Sequence, residues 1–276
     1  MNINKYYYQK DSIMNETLTL ILCLVIPFIG TTLGSLTVFF VKDKLNNRVQ
    51  KSLIGFAAGV MVAASIWSLL NPSIEQSSSM GKLSFLPAAI GFFAGILFLL
   101  LLDSLIPHMH PNTNQAEGLN TNKMKRTTMM VLAVTLHNIP EGMAVGVVAS
   151  AAFFGSKELA ISSAFVLAIG MAIQNFPEGS VVSIPLKIEG ESKKKAFLLG
   201  SLSGIVEPLA AIITLLITTL ITSILPYILS FAAGVMIYVV VEELIPETQE
   251  GEHTNLSTLF FGIGFVIMMI LDIVFG

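Results

Sequence analysis

From about residue 17 onward the chain alternates between long apolar runs and short polar connections. A helical run of about 20 apolar residues is long enough to cross roughly 30 Å of hydrocarbon. Eight such spans are predicted, at about 17–41, 52–71, 84–106, 127–152, 159–186, 196–222, 226–246 and 256–275. The pattern predicts an all-α integral membrane fold: a single eight-helix transmembrane domain over 17–276, preceded by a polar external segment, 1–16. The first apolar run is too long for the hydrophobic part of a cleaved signal peptide and reads as a retained first helix. The longest polar connection, about 107–126, lacks the apolar content to fold alone and is expected to be a mobile cytoplasmic loop. It carries His108 and His110, a pair that would sample metal ions at a cytoplasmic exit or serve as ordinary solvated residues.

Polar residues interrupt two spans in the same way. Residues 137–142 read His-Asn-Ile-Pro-Glu-Gly and residues 174–179 read Gln-Asn-Phe-Pro-Glu-Gly. On a helix, side chains three and four residues apart share a face. His137, Asn138 and Glu141 therefore project together, as do Gln174, Asn175 and Glu178. The proline before each glutamate frees a carbonyl one turn back, that of Leu136 or Ile173. Gly142 and Gly179 admit a close neighbouring helix. Two such faces brought together present carboxylates, an imidazole and amides, which is the chemistry of a metal site inside a membrane.

Composition agrees with that picture. Hydrophobic residues make up 54% of the chain and charged residues 12%, with a mean hydropathy of +0.78. A net charge of −3 offers nothing to nucleic acid, and the single cysteine, Cys23, excludes an intramolecular disulfide or a cysteine-based zinc cluster. A charged residue at the bilayer centre costs on the order of 2.5–3.5 kcal/mol even on the gentlest scales. Glu141, Glu178 and Glu207 all fall inside predicted spans, with no intramembrane lysine or arginine to neutralise them. Protons or a metal cation must do so, and a divalent ion shared among several acids is the economical solution. The bland alternative is a set of protonated, hydrogen-bonded core acids. Glu207 precedes Pro208, so it too sits beside a helix irregularity. Met61 offers a soft thioether or simple packing, and Ser68 an oxygen or a bond to its own backbone. Asp103, Glu242 and Glu243 fall near span ends, where an exit path or a solvated vestibule would both suit them.

Basic residues set an orientation. With an external N-terminus, the cytoplasmic segments hold Lys42, Lys44, Arg48, Lys51, Lys123, Lys125, Arg126, Lys187, Lys193, Lys194 and Lys195. The external segments hold Lys5, Lys10, Lys82 and Lys157. This asymmetry supports an even number of spans with both termini outside. A longer echo joins the two ends of the chain: Phe-Ala-Ala-Gly-Val-Met occurs at 56–61 and again at 231–236, each followed by an apolar turn and a proline, Pro72 or Pro246. The copies fall in spans two and seven, which run in opposite directions, and inverted repeats around a midplane site are a common transporter design.

The paired hexads resemble the signatures of the ZIP (Zrt/Irt-like) metal-ion transporters, and the short chain and the Phe-Ala-Ala-Gly-Val-Met segments resemble the prokaryotic GufA-like branch. The likeness runs from about residue 25 to the C-terminus. It implies a three-plus-two-plus-three arrangement, with helices four and five enclosed by inverted three-helix repeats. It also implies a binuclear site, a homodimer in the lipid bilayer of a bacterial inner membrane, and movement of divalent metal into the cytoplasm. Carried over by position, one metal site is Met61, His137, Glu141, Gln174 and Glu178. Its neighbour is Asn138, Glu141, Asn175, Glu178 and Glu207, with Glu141 and Glu178 bridging. Ser68 aligns with an entrance residue and Glu243 with an exit acid. Asn175 stands where some relatives carry Asp, and Glu242 where related sequences often have His, so metal preference is open to retuning.

The expected function is alternating access without enzymatic chemistry. The ion enters past Met61 and Ser68, sheds water to the midplane ligands, and leaves past Asp103, Glu243 and His108. Oxygen donors with one imidazole and a thioether suit Zn²⁺ and tolerate Fe²⁺, Mn²⁺ or Cd²⁺. A rival reading is a membrane metallohydrolase using a glutamate as general base; the chain has no His-Glu-x-x-His to support it. A proton-coupled carrier for an organic ion would leave the duplicated ligand faces unexplained. Purified protein assayed for metal flux and for lipid or peptide hydrolysis is expected to show flux alone; hydrolysis without flux would favour the rival.

Overall fold

The computed structural model describes residues 3–41, 46–105, 126–154, 161–220, 222–249 and 254–275. Among them the regular structure is helical throughout. In chain order the helices are α1 (Ile3–Leu36), α2 (Asn47–Gln76), α3 (Phe85–Leu105), α4 (Arg126–Phe154) and α5 (Ile161–Ile188). They continue with α6 (Lys193–Ser203), α7 (Val206–Leu220), α8 (Leu225–Gln249) and α9 (Leu256–Phe275). Seven helical stretches among the described residues are long and apolar enough to cross a membrane: α2, α3, α5, α8, α9, the Glu16–Phe39 part of α1, and α6 with α7 as Lys193–Thr218. The chain is a multi-pass membrane protein.

The 29-residue α4 lies where the fourth span was expected but is not among the seven. Val145 to Ser150, behind its polar hexad, are buried. By contrast, α3 and α9 expose large apolar side chains such as Phe93, Leu97, Leu259 and Val266 to the surroundings. Polar helices inside and apolar helices outside is the order that hydrocarbon imposes.

The first membrane-crossing stretch, Glu16–Phe39, lies where the first span was expected, and its helix reaches back to Ile3 through the polar leader. Two spans, the second and the sixth, differ from the sequence expectation. The second runs over Asn47–Gln76 instead of 52–71, because Asn46 caps it by accepting from the Arg48 amide at 2.9 Å. The sixth span is broken at Gly204–Ile205 into α6 and α7, with the Glu207 amide donating to the Gly204 carbonyl at 3.0 Å. The loop carrying His108 and His110 lies outside the described residues.

Each Phe-Ala-Ala-Gly-Val-Met copy leads into a π-helical segment, Ser65–Leu70 in α2 and Val240–Leu244 in α8. The widened turns begin four residues after Met61 and Met236 alike.

Helix pairing rests on small residues, as it must where lipid is no less apolar than a side chain and only close packing rewards association. A Cβ on Gly30 or Gly34 of α1 would strike the backbone of Ala172 or Phe176 in α5. Gly55 and Gly59 of α2 meet Ser257 and Phe261 of α9 in the same manner, and Gly95 of α3 and Gly234 of α8 each seat against the other helix. Gly142 and Gly146 of α4 lie against Glu207 and Ala211 of α7. The pairs α1–α5, α2–α9, α3–α8 and α4–α7 form the frame of the bundle.

Gly234→Val is expected to force α3 and α8 apart and lower stability by about 1–3 kcal/mol, read as a lower thermal midpoint in detergent. Gly262→Val, where nothing lies within 4 Å of the added carbon, is the control expected to leave it unchanged.

Candidate metal centre

The first hexad stays helical through Pro140 and the second through Pro177, so each ligand face keeps its one-turn spacing. The hexad glycines do what their position suggested. Gly142 brings α4 against the backbone of Glu207, and Gly179 brings α5 against the Thr31 carbonyl of α1. These two approaches draw a third carboxylate and a first-helix hydroxyl toward the two faces.

Asn138, Glu141, Gln174 and Asn175 are fully buried, Glu207 is nearly so, and Glu178 is half-buried. Glu178 stands within hydrogen-bonding reach of Glu141 and close enough to Glu207 and Glu243 to feel their charge. Glu207 in turn faces Glu141, Asn175 and Thr31. Three helices thus deliver three carboxylates to one region. No lysine or arginine is available on these three helices at that depth: α4 after Arg126, α5 before Lys187 and all of α7 contain neither.

The amides orient the cluster. Asn138 Nδ2 donates to the Ser203 carbonyl at 3.0 Å, and Gln174 Nε2 donates to Asn175 Oδ1 at 2.6 Å with a longer, 3.5 Å approach to Glu178 Oε1. The Thr31 hydroxyl donates to Glu207 Oε1 at 2.6 Å. Each of these bonds leaves the opposite oxygen over. Asn138 Oδ1, Gln174 Oε1, Glu178 Oε2 and Glu207 Oε2 are all buried with no hydrogen-bond donor. Orphaned buried acceptors are rare because each carries a desolvation penalty of about 1–3 kcal/mol, more when charged. Four such oxygens, two of them from carboxylates, would suit a cation, and beside them Asn175 Nδ2 is a buried donor with no acceptor among the described residues. Among the described residues no three His, Cys, Asp or Glu are poised to hold an ion unaided.

The remaining expected residues are placed as follows. His137 lies on α4, with its side chain outside the described part of the structure. Met61 is fully buried in the apolar cluster that holds Val60, Ala63 and Met171, and its carbonyl accepts from the Ser65 hydroxyl at 2.8 Å. Ser68, on the π segment of α2, donates to Asp272 Oδ2 of α9. Asp103 accepts from the Tyr238 hydroxyl at 3.2 Å. Glu243 is buried on the π segment of α8, whereas its neighbour Glu242 is exposed.

Sequence reasoning missed Thr31, Asp272 and Tyr238. The clue for Asp272 was a lone acid in an otherwise apolar last helix. Thr31 offered no such clue, since a hydroxyl in a span usually bonds its own backbone.

A bundle of membrane-crossing helices around buried carboxylate and amide side chains defines a polytopic membrane protein. The family model described as ZIP zinc transporter matches residues 115–272. Zinc transporter ZIP11 of Homo sapiens is 34% identical over 328 aligned residues, covering 90% of this chain and 94% of that protein. Zinc transporter ZIPB of Bordetella bronchiseptica is 36% identical, covering 90% of this chain and 79% of that protein. Zinc transporter GufA of Myxococcus xanthus is likewise 36% identical, covering 90% and 95%. The chain belongs to the ZIP family. Its members are transporters rather than enzymes, which sets the hydrolase alternative aside.

With chelator present, Glu178→Gln is expected to raise the thermal midpoint, a gain on the order of 1 kcal/mol, because it removes one of several crowded, poorly solvated carboxylates. An unchanged or lower midpoint would show that the protein already satisfies these acids.

Proposed function

We propose that this protein carries divalent metal cations, zinc foremost, across a bacterial inner membrane into the cytoplasm. The observation that carries the reading is the set of four donorless buried oxygens gathered among Glu141, Glu178 and Glu207. The relatives' names supply the metal: ZIP11, ZIPB and GufA are zinc transporters. Fe²⁺, Mn²⁺ and Cd²⁺ are further substrates compatible with oxygen-rich ligation.

In this reading α4 is an eighth span, and the site is binuclear across α4 and α5. Met61, His137, Glu141, Gln174 and Glu178 serve one ion; Asn138, Glu141, Asn175, Glu178 and Glu207 serve the other. Sharing two glutamates lets paired dications neutralise acids that hydrocarbon would otherwise penalise. Asn175 keeps the second position less negative and favours weaker, releasable binding there. The ion arrives from outside past Ser68 and leaves past Glu243 and Asp103, with His108 beyond them. The proximity of Glu243 to Glu178 supports that exit.

The three-plus-two-plus-three inverted repeat has support in the helix pairing. Exchanging α1, α2 and α3 with α6–α7, α8 and α9, and α4 with α5, maps the pair α1–α5 onto α7–α4 and the pair α2–α9 onto α8–α3. The matched π segments obey the same exchange. Both termini lie outside, the basic loops face the cytoplasm, and two copies associate as a homodimer.

In proteoliposomes, Glu141→Ala is expected to reduce ⁶⁵Zn uptake at least 100-fold, to the level of empty vesicles, while elution and helical content stay those of the parent. Uptake retained within a few fold of the parent would contradict the assignment.

A further inference from the structure

The site as described leaves one buried interaction without a role. Thr31 on α1 is fully buried, and its hydroxyl holds Glu207 Oε1 at 2.6 Å. Two glycines exist to make that contact fit. A Cβ on Gly204 would collide with both the Thr31 side chain and Glu207 Oε1, so Gly204 vacates the space into which Glu207 folds back. Gly179, the last residue of the second hexad, seats against the Thr31 carbonyl itself. One residue of α1 is thus clamped between the ligand helix α5 and the acid of α7.

The consequence for Glu207 is specific. Oε1 already accepts from Thr31, while Oε2 is buried with no hydrogen bond of its own, on a carboxylate that faces Glu141 and Asn175. We propose that Thr31 is a positioning residue that fixes Glu207 as a single-oxygen ligand and so sets the affinity of the metal position which Glu207 shares with Asn138 and Asn175. The inference rests on the transport reading above and deepens it. A hydroxyl donating to a ligating carboxylate locks the rotamer and restricts the acid to one metal-facing lone-pair set. Partners of this kind typically alter metal affinity by 10–100-fold when removed. Threonine meets both needs at this place: the hydroxyl for Glu207, and a methyl that packs over Gly204.

Two substitutions separate the hydroxyl from the shape. Thr31→Val keeps the volume and loses the donor; Thr31→Ser keeps the donor and loses the methyl. Zinc binding to the purified full-length protein, titrated by calorimetry in detergent, is expected to show two sites in the parent. Thr31→Val should weaken the lower-affinity site roughly 10-fold and leave the other within about 2-fold, and Thr31→Ser should restore parental values. In the Glu207→Gln background, Thr31→Val should change nothing further, because both act through one carboxylate. The opposite pattern, in which Ser weakens binding and Val does not, would reduce Thr31 to packing and overturn the inference. Parental affinities at both sites in Thr31→Val, alongside normal zinc binding by the parent, would overturn this inference alone. A parent that binds no zinc would overturn the transport reading and this inference with it.

Discussion

Acidic side chains inside hydrocarbon are the constraint around which this molecule is built. Glu141, Glu178 and Glu207 come from three helices to one place, with no lysine or arginine on those helices at that depth to answer them. The protein's own described donors cover only some of the oxygens. What remains is a surplus of lone pairs, and a surplus of lone pairs binds cations. In the proposed reading, the feature that destabilises the empty protein is the one that supplies the affinity for its metal substrate. Under the proposed transport reading that affinity must also be limited, so the three neutral amides Asn138, Gln174 and Asn175 are as informative as the acids.

The packing of the bundle serves this centre. Membrane helices gain little from burying apolar surface against each other, so contact must come from small residues that let backbones touch. Here the small residues are placed where they also aim ligands: Gly142 sets α4 on Glu207, Gly179 sets α5 on Thr31, and Gly204 opens room for the Glu207 carboxylate. The break at Gly204–Ile205 frees the chain to turn Glu207 inward at the first turn of α7. Packing and ligation are one design in this region, and a change to either perturbs the other. The outer helices α3 and α9, by contrast, present plain apolar faces, while the π segments that follow the two echoing motifs lie on the more buried α2 and α8.

Much of this was legible in the sequence because hydrocarbon writes with few letters. A polar residue in an apolar span has to be explained, and the doubled hexads, Glu207 and the echo at 56–61 and 231–236 were conspicuous for that reason. The close approach at Gly142 and Gly179 followed from the same logic, though not the partner each would meet. Partners are a tertiary fact: nothing along the chain says that Thr31 and Glu207, far apart in sequence, share a hydrogen bond. Helix ends were also poorly marked. Capping at Asn46 and the break before Ile205 depend on backbone geometry that hydropathy does not record. Asp272 was visible as a lone acid, yet only its bond with Ser68 shows that α2 and α9 join through it.

The central claim is that Glu141 and Glu178 hold a metal ion between them. Anomalous diffraction at the zinc edge from zinc-loaded crystals addresses it directly. A peak within ligating distance, about 2.0–2.2 Å, of a carboxylate oxygen of both residues is the predicted result. A loaded protein whose anomalous peaks all lie away from these two glutamates would contradict the account.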